Sequence, residues 1–544
     1  MEIESKKEIL KICMSRGFLL DKEVLEILGS LDNSDAREIV NTLSGLKIDE
    51  RMITKNLFFK NFEQIKKVIS DDKKIIIENF FVSLGYSKTE IVKTPEEEPK
   101  NNEPFGKVKL LSAPAFTQRK ISVQDFVKHF RSRYEMMKGF LEAKDLEDLT
   151  SIRRIGEERG NYTIIAAILE KRITKNKNLF LTVEDMTGTS VVLVNANKKE
   201  VFEKAKDLLV DDIVAFSVSG TKEMLFANDV IFPEAGLSEK RNSDVDEWVA
   251  FISDVHIGSS MFMEENFLKF IKWVNGQEGE EKYKEISKKL KYIFINGDGV
   301  DGVGHFPGQD KFLNISDIKG QYKKLAELLK LIRNDVKLIF ASGNHDAVWV
   351  GEPQPILGAD WAPDMYNLEN LTLVPNPSVI EIDGGFKILM YHGFGAHGFV
   401  NEIEDIRLNY GHNSPTRIVK EMLKRRHLSP MHGYSDYIPC EKDGLVIDIV
   451  PDIITTADLH KSDISIYNNI LLIATSCWQS TTPFQEKMGN KPDFCKVPLF
   501  NLRTREIKIL DFENKPKEVA WDCSNDVSCS LENHKKNFIE VKNG

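Results

Sequence analysis

Apolar residues recur at helical spacing from Glu2 to about Val92, in stretches such as KKEILKICMSRGFLL and EVLEILGSL, and predict a small helical module over residues 1–92. The pattern stops at KTPEEEPKNNEP (Lys93 to Pro104). Its three prolines, run of glutamates and lack of apolar residues leave nothing to bury, so a flexible linker is expected over residues 93–122.

A helical stretch near Val123 to Leu149 is followed by short strands: YTIIAAILEKR, LFLTVEDMTGTSVVLV, DIVAFSVSG and LFANDVIFP. With the helix-like KKEVFEKAKDLL between the third and fourth strands, this spacing predicts a five-stranded OB-fold β-barrel, of the oligonucleotide-binding type, with its preceding helix over residues 123–240. From Trp248 the texture changes. WVAFISDVH, KYIFINGD and VKLIFASGNHD are buried-strand runs, each ending in a polar loop, with helical segments at Glu265 to Val274 and Lys319 to Ile332 between them. Later strands in SVIEI, FKILMYHG and DISIYNNILLIATS predict a second sheet, giving a layered α/β domain over residues 241–514. The tail, residues 515–544, carries no readable pattern.

Length supports this division, because 544 residues exceed a single core. The composition is 41% hydrophobic and 29% charged, and no apolar run approaches the roughly 20 residues of a membrane span. The start, MEIESKKEIL, lacks an apolar signal core, so a cytoplasmic protein with no membrane partner is expected. Six scattered cysteines without a CxxC pair predict free thiols.

A net charge of −10 argues against wrapping nucleic acid over the whole surface, yet leaves room for a local basic groove. The turn KRITKNKN makes Lys171, Arg172, Lys175 and Lys177 candidate DNA contacts, with a solvated hairpin as the equally natural alternative. Few barrel aromatics (Tyr162, Phe180, Phe216) are available for base stacking, which favours a docking role for the barrel. LKRRH, Leu423 to His427, is expected to be a solvated helix end.

The chemistry lies where the α/β strands end. FINGDGVDG (Phe294 to Gly302) runs from a buried strand into a glycine-flanked acid, which is either a turn or a carboxylate standing clear to hold something. Other strand ends repeat the feature. SDVH supplies Asp254 and His256, NGD supplies Asp298, GNHD supplies Asn344 and His345, YHG supplies His392, and TADLH supplies Asp458 and His460. Ligands at the carboxyl ends of strands can converge on one crevice, and five such loops are hard to explain by packing.

The series D-x-H, G-D, G-N-H-D, H-G and a final x-x-x-H resembles the calcineurin-like metallophosphoesterase family, a two-sheet α/β sandwich, over roughly Val249 to Asn514. With a barrel and a helical module upstream, and with GEPQP, MLKRRHLSP and CWQSTTPFQ, the chain resembles the small subunits of archaeal D-family DNA polymerases. That resemblance implies a two-metal 3′–5′ proofreading exonuclease without polymerase activity of its own, partnered by the large catalytic subunit, DNA 3′ ends and, as a further candidate, the sliding clamp. It also implies a ligand set. Asp254, His256 and His460 would hold one divalent ion, Asn344, His392 and Asp458 the other, and Asp298 would bridge them, leaving His345 to orient the phosphate or protonate the leaving oxygen. The family usually ends in G-H-x-H, whereas this chain has Ala457-Asp458-Leu459-His460. An oxygen ligand there favours Mn²⁺ or Mg²⁺. A catalytically weakened scaffold subunit of the same polymerase is the alternative reading.

Overall fold

The computed structural model describes residues 105–519 apart from 117–119, 490 and 515, together with scattered positions before residue 66. The chain divides into two compact units, one of residues 1–103 with 116–120 and one of residues 104–115 with 121–544. In the first, Leu19–Leu20 pairs in parallel with Met52–Ile53, and Val24, Leu28, Ile39 and Phe58 are buried. Most of the expected helical module, and the tail past Val519, lie outside the described residues.

The second unit begins with β1 (Val108–Ser112) and α1 (Val123–Glu142). Five strands follow: β2 (Gly160–Ile173), β3 (Leu179–Asp185), β4 (Gly188–Val194), β5 (Ile213–Thr221) and β6 (Met224–Ile231), with α2 (Lys199–Ala205) between β4 and β5. They close into a barrel in the order β2-β3-β4-β6-β5. Alternation explains the closure: Leu179, Leu181 and Val183 of β3 point inward with Ile164, Val192, Phe216 and Leu225.

Two sheets form the remainder. The first holds β7 (Trp248–Ile252), β8 (Leu290–Asn296), β9 (Lys337–Ala341), β10 (Leu371–Val374), β16 (Lys496–Asn501), β17 (Ile507–Asp511) and β18 (Lys517–Val519), in the order β10-β9-β8-β7-β16-β17-β18. The second holds β11 (Ser378–Ile382), β12 (Lys387–Met390), β13 (Ile453–Thr456), β14 (Asp463–Tyr467) and β15 (Ile470–Ala474), in the order β14-β15-β13-β12-β11-β1. Strands β7 to β9 are parallel and buried on both faces, which is why they read as continuous apolar runs. One face packs against the second sheet through Phe251, Phe294, Ile339, Ile388 and Ile453. The other packs under helices α3 (Glu264–Val274) and α5 (Ile318–Leu329), anchored by Phe267, Phe270, Trp273 and Tyr322; between them α4 (Glu281–Lys288) adds Tyr283. Among the described residues no helix is long and apolar enough to cross a membrane.

Three expectations change here. Within the segment expected to be linker, β1 pairs antiparallel with β11, so Val108–Ser112 is an edge strand of the second sheet. The first sheet also continues past Asn514 through β18, paired with β17. LKRRH is no solvated helix end: after α6 (Ala396–Glu402), it closes α7 (Pro415–Arg425) at the junction with the barrel. Arg425 is buried, its Nε 2.9 Å from Asp212 Oδ1, and Arg426 lies over the Phe140 ring at 3.5 Å. His427 Nε2 is 3.0 Å from Asp443 Oδ2, which also accepts from Arg133 Nε of α1 at 2.6 Å. Within the run Arg425 offsets the buried Asp212, while Asp443 is offset by Arg133 of α1.

Burial, with the Arg133 charge beside it, pushes the His427 imidazole down to about 4, against Asp443. The unfolded chain then takes up a proton near pH 6.5 and the folded chain only near pH 4, so acid favours unfolding between these values. His427 alone is expected to contribute a fall on the order of 3 kcal/mol across that window, at about 1.4 kcal/mol per unit. Urea unfolding from pH 7 to 4 checks this, and His427→Gln should flatten the slope; equal slopes in both proteins would contradict it.

Of the four basic candidates on the barrel, Lys171 is engaged: Nζ donates to Leu208 O at 2.8 Å and to Lys206 O. Arg172 lies over the Phe180 ring at 4.0 Å. Lys175 and Lys177 are exposed at the turn between β2 and β3. Phe216 is barrel core. Cys13, Cys440, Cys477 and Cys495 are free, buried thiols, while Cys523 and Cys529 lie outside the described residues.

Candidate metal centre

The neighbouring strands β7, β8 and β9 of one sheet, and β12 and β13 of the other, end at one rim. Each hands over to a motif of the series: Asp254 and His256 after β7, Asp298 after β8, Asn344 and His345 after β9, His392 after β12, and Asp458 and His460 after β13. Five of these residues hold left-handed backbone, Asp254 (φ 47°), His256 (53°), Asp298 (50°), Asp458 (64°) and His460 (54°). Each such residue costs on the order of 1–3 kcal/mol, and strain of this kind concentrates where side chains must be aimed. Glycines make the room. A Cβ on Gly343 would run into the Asp298 carboxylate and backbone, and one on Gly297 into the His392 ring.

The side chains meet in three overlapping groups whose ligand atoms lie within 4.8 Å of one another: Asp254, His256 and His460; Asp254, Asp298 and His392; and His256, Asp298 and His345. Asn344 joins them, its Oδ1 2.9 Å from His392 Nε2. Asp458 reaches the group by one oxygen, Oδ1 being 3.8 Å from His392 Nε2. All the sequence-derived candidates on this rim are therefore adjacent, with Asp458 at its margin.

Surrounding groups fix the imidazoles. His392 Nδ1 donates to Asn296 O at 2.8 Å, which aims Nε2 into the rim, toward Asn344 and Asp298. His256 Nδ1 lies 3.2 Å from Asp301 Oδ1, and its Nε2 lies 3.2 Å from His460 Nε2. His345 has Nδ1 2.8 Å from Asp301 O and one face stacked on His305, ring centroids 4.3 Å apart. Burial opposes the charge on Asp298, but His392, His345 and His256 outweigh it and hold its carboxyl far below the usual range. Burial also opposes charge on Asp458, and His397 overcomes it.

This donor set suits divalent cations. Two buried carboxylates, Asp254 and Asp298, converge with the half-buried Asp458 at the margin, and Asp254 Oδ1 makes no hydrogen bond among the described residues despite complete burial. His256 Nε2 and His460 Nε2 face one another across 3.2 Å, with Asp254 Oδ1 3.4 Å from the latter. Buried acids and imidazoles aimed at one point make a donor set that a divalent cation compensates, and Gln485 Nε2 holds the far side of His460 at Nδ1, 3.0 Å away.

Sequence reasoning missed the residues behind the ligands. Asp301 belongs to the same FINGDGVDG stretch and is held by two side-chain amides, Gln309 Nε2 of the following loop at 3.0 Å and the distant Gln479 Nε2 at 2.9 Å. Gln321 fixes the adjoining turn, accepting from Gly302 N at 2.9 Å. Asp346, the last residue of GNHD, accepts from Gly343 N and from Tyr322 OH, 3.0 Å away; burial, then Asp298, pushes its carboxyl up to about 7. The repeated acid in GDGVD was the available signal for Asp301; nothing local marked the glutamines.

Fold and rim together define a calcineurin-like phosphoesterase domain, and that family's profile matches residues 248–461. Over 396 residues the chain is 35% identical to the DNA polymerase II small subunit of Methanothermobacter thermautotrophicus, covering 72% of this chain and 80% of that protein. It is 34% identical over 374 residues to the DNA polymerase II small subunit of Archaeoglobus fulgidus, 68% of this chain and 74% of that one. The chain belongs to the DNA polymerase II small subunit family.

Proposed function

We propose that this chain is the small subunit of a DNA polymerase in which the rim hydrolyses phosphodiesters from DNA 3′ ends, in the 3′ to 5′ direction, beside a large catalytic subunit. The observation that carries the reading is the convergence of Asp254, His256, Asp298, His392 and His460, with Asp254 Oδ1 buried and unbonded among the described residues. Two divalent ions, Mn²⁺ or Mg²⁺, supply when bound the Lewis acidity that phosphodiester hydrolysis needs.

Asp254, His256 and His460 would hold one ion and Asn344, His392 and Asp458 the other, and Asp298, which lies in two of the three ligand groups, would serve both. His345 is the proton donor to the departing 3′ oxygen: Nδ1 is committed to Asp301 O, its backbone N–H to Asp298 Oδ1 at 2.8 Å, and Nε2 remains for substrate. The names of the relatives support the large-subunit partner. The barrel's core-facing Phe216 and engaged Lys171 support docking rather than strong single-strand binding as its role.

A 5′-labelled primer with a 3′ mismatch, incubated with the purified chain and Mn²⁺, is expected to shorten stepwise from its 3′ end, with and without a co-expressed large subunit. An intact primer in both reactions, or loss from the 5′ end, would contradict the reading.

A further inference from the structure

Asp458 enters the rim by Oδ1, and its other oxygen, Oδ2, is buried and without a hydrogen bond among the described residues. The group nearest to Oδ2 in charge and reach is His397, whose Nε2 stands 3.2 Å away. His397 sits in α6, directly after the loop that carries His392, and its side chain is 46% exposed where that of Asp458 is 10% exposed. Its other ring nitrogen, Nδ1, is 3.1 Å from His412 Nε2. Three side chains from separate segments therefore line up from the rim outward: Asp458, His397, His412.

A carboxylate that binds an ion through one oxygen turns easily about its terminal torsion unless the second oxygen is held. Groups behind a ligand set its orientation and basicity, and their loss typically lowers metal affinity about 10–100-fold. Other ligands have such a backing group: Asn296 for His392, Asp301 for His256, Gln485 for His460 and the His345 backbone N–H for Asp298. For Asp458 the corresponding place is filled by His397.

We propose that His397, backed by His412, is the positioning residue for Asp458: it holds Oδ2 so that Oδ1 faces the ion shared with His392 and Asn344. His397 is not itself a ligand in this scheme. The inference rests on the metal centre proposed above and adds a residue to its support. It makes a distinctive demand, that the need for His397 depends on a carboxylate at position 458. An imidazole there has no second oxygen to restrain.

Calorimetric titration of Mn²⁺ into the metal-stripped full chain tests this without recourse to activity. The unaltered protein should bind two ions. His397→Ala should weaken one of them by about 10–100-fold and leave the other unchanged, and His397→Gln, which retains an N–H donor, should recover part of the loss. In an Asp458→His background, His397→Ala should change neither affinity by more than about threefold, the coupling that a double-mutant cycle measures. Two unperturbed sites in His397→Ala, or an equal loss in both backgrounds, would overturn the role given to His397 while leaving the centre standing. Failure of the unaltered chain to bind Mn²⁺ would overturn both.

Discussion

Asp298→Ala is expected to lose Mn²⁺ binding and hydrolysis together, whereas His345→Ala keeps both ions and loses turnover. Asp298 lies in two of the three overlapping ligand groups and is buried between His256, His345 and His392. Taking it away leaves imidazoles facing a cavity with one fewer negative charge, and neither of the proposed ions would keep a shared oxygen. His345 differs in kind. Its Nδ1 and backbone N–H are spent on Asp301 and Asp298, so its loss removes a proton donor; such groups are worth about 10²–10⁴-fold in rate. Calorimetry and single-turnover digestion on both variants separate the two roles. Equal loss of metal in both would contradict the division.

Gly343→Ala is the second large effect, expected from a single methyl group. The position does not have left-handed backbone, so the penalty is steric: the new carbon meets the Asp298 carboxylate, the Asp298 backbone and the His392 ring. None of these is the free end of a flexible chain. Overpacking of this kind costs about 1–3 kcal/mol. Here the displaced atoms are also the proposed shared ligand, so Mn²⁺ affinity should fall with thermal stability. Gly358→Ala is the control, because its Cβ would meet only Trp361 Cδ1 at 3.6 Å, an ordinary contact. Thermal melts with and without Mn²⁺ check the pair. Equal melts and equal Mn²⁺ stabilisation in both variants would sink this account of the glycine.

The rim was legible in the sequence because each ligand follows its own strand within a few residues, so local motifs and buried-strand runs carried the information together. Asp301 escaped, although it lies three residues from Asp298, because its role depends on His256 and Gln479, brought to it only by the fold. The same reason hid His397 and His412. The run LKRRH misled for another cause: a basic helix end looks solvated until Asp212 and Asp443 arrive from far along the chain. β1 was obscured by its setting, a five-residue edge strand with half-exposed positions flanked by a proline-rich stretch, too short and too open to show alternation. The barrel was plainer, since its inward residues alternate along every strand.

Anomalous diffraction from crystals of the full chain soaked in MnCl₂ tests the central claim most directly. The account predicts two peaks, one among Asp254, His256 and His460 and one beside Asn344, His392 and Asp458, with the Asp298 carboxylate between them. Density with no peak at this rim, or a single peak that does not touch Asp298, would contradict it.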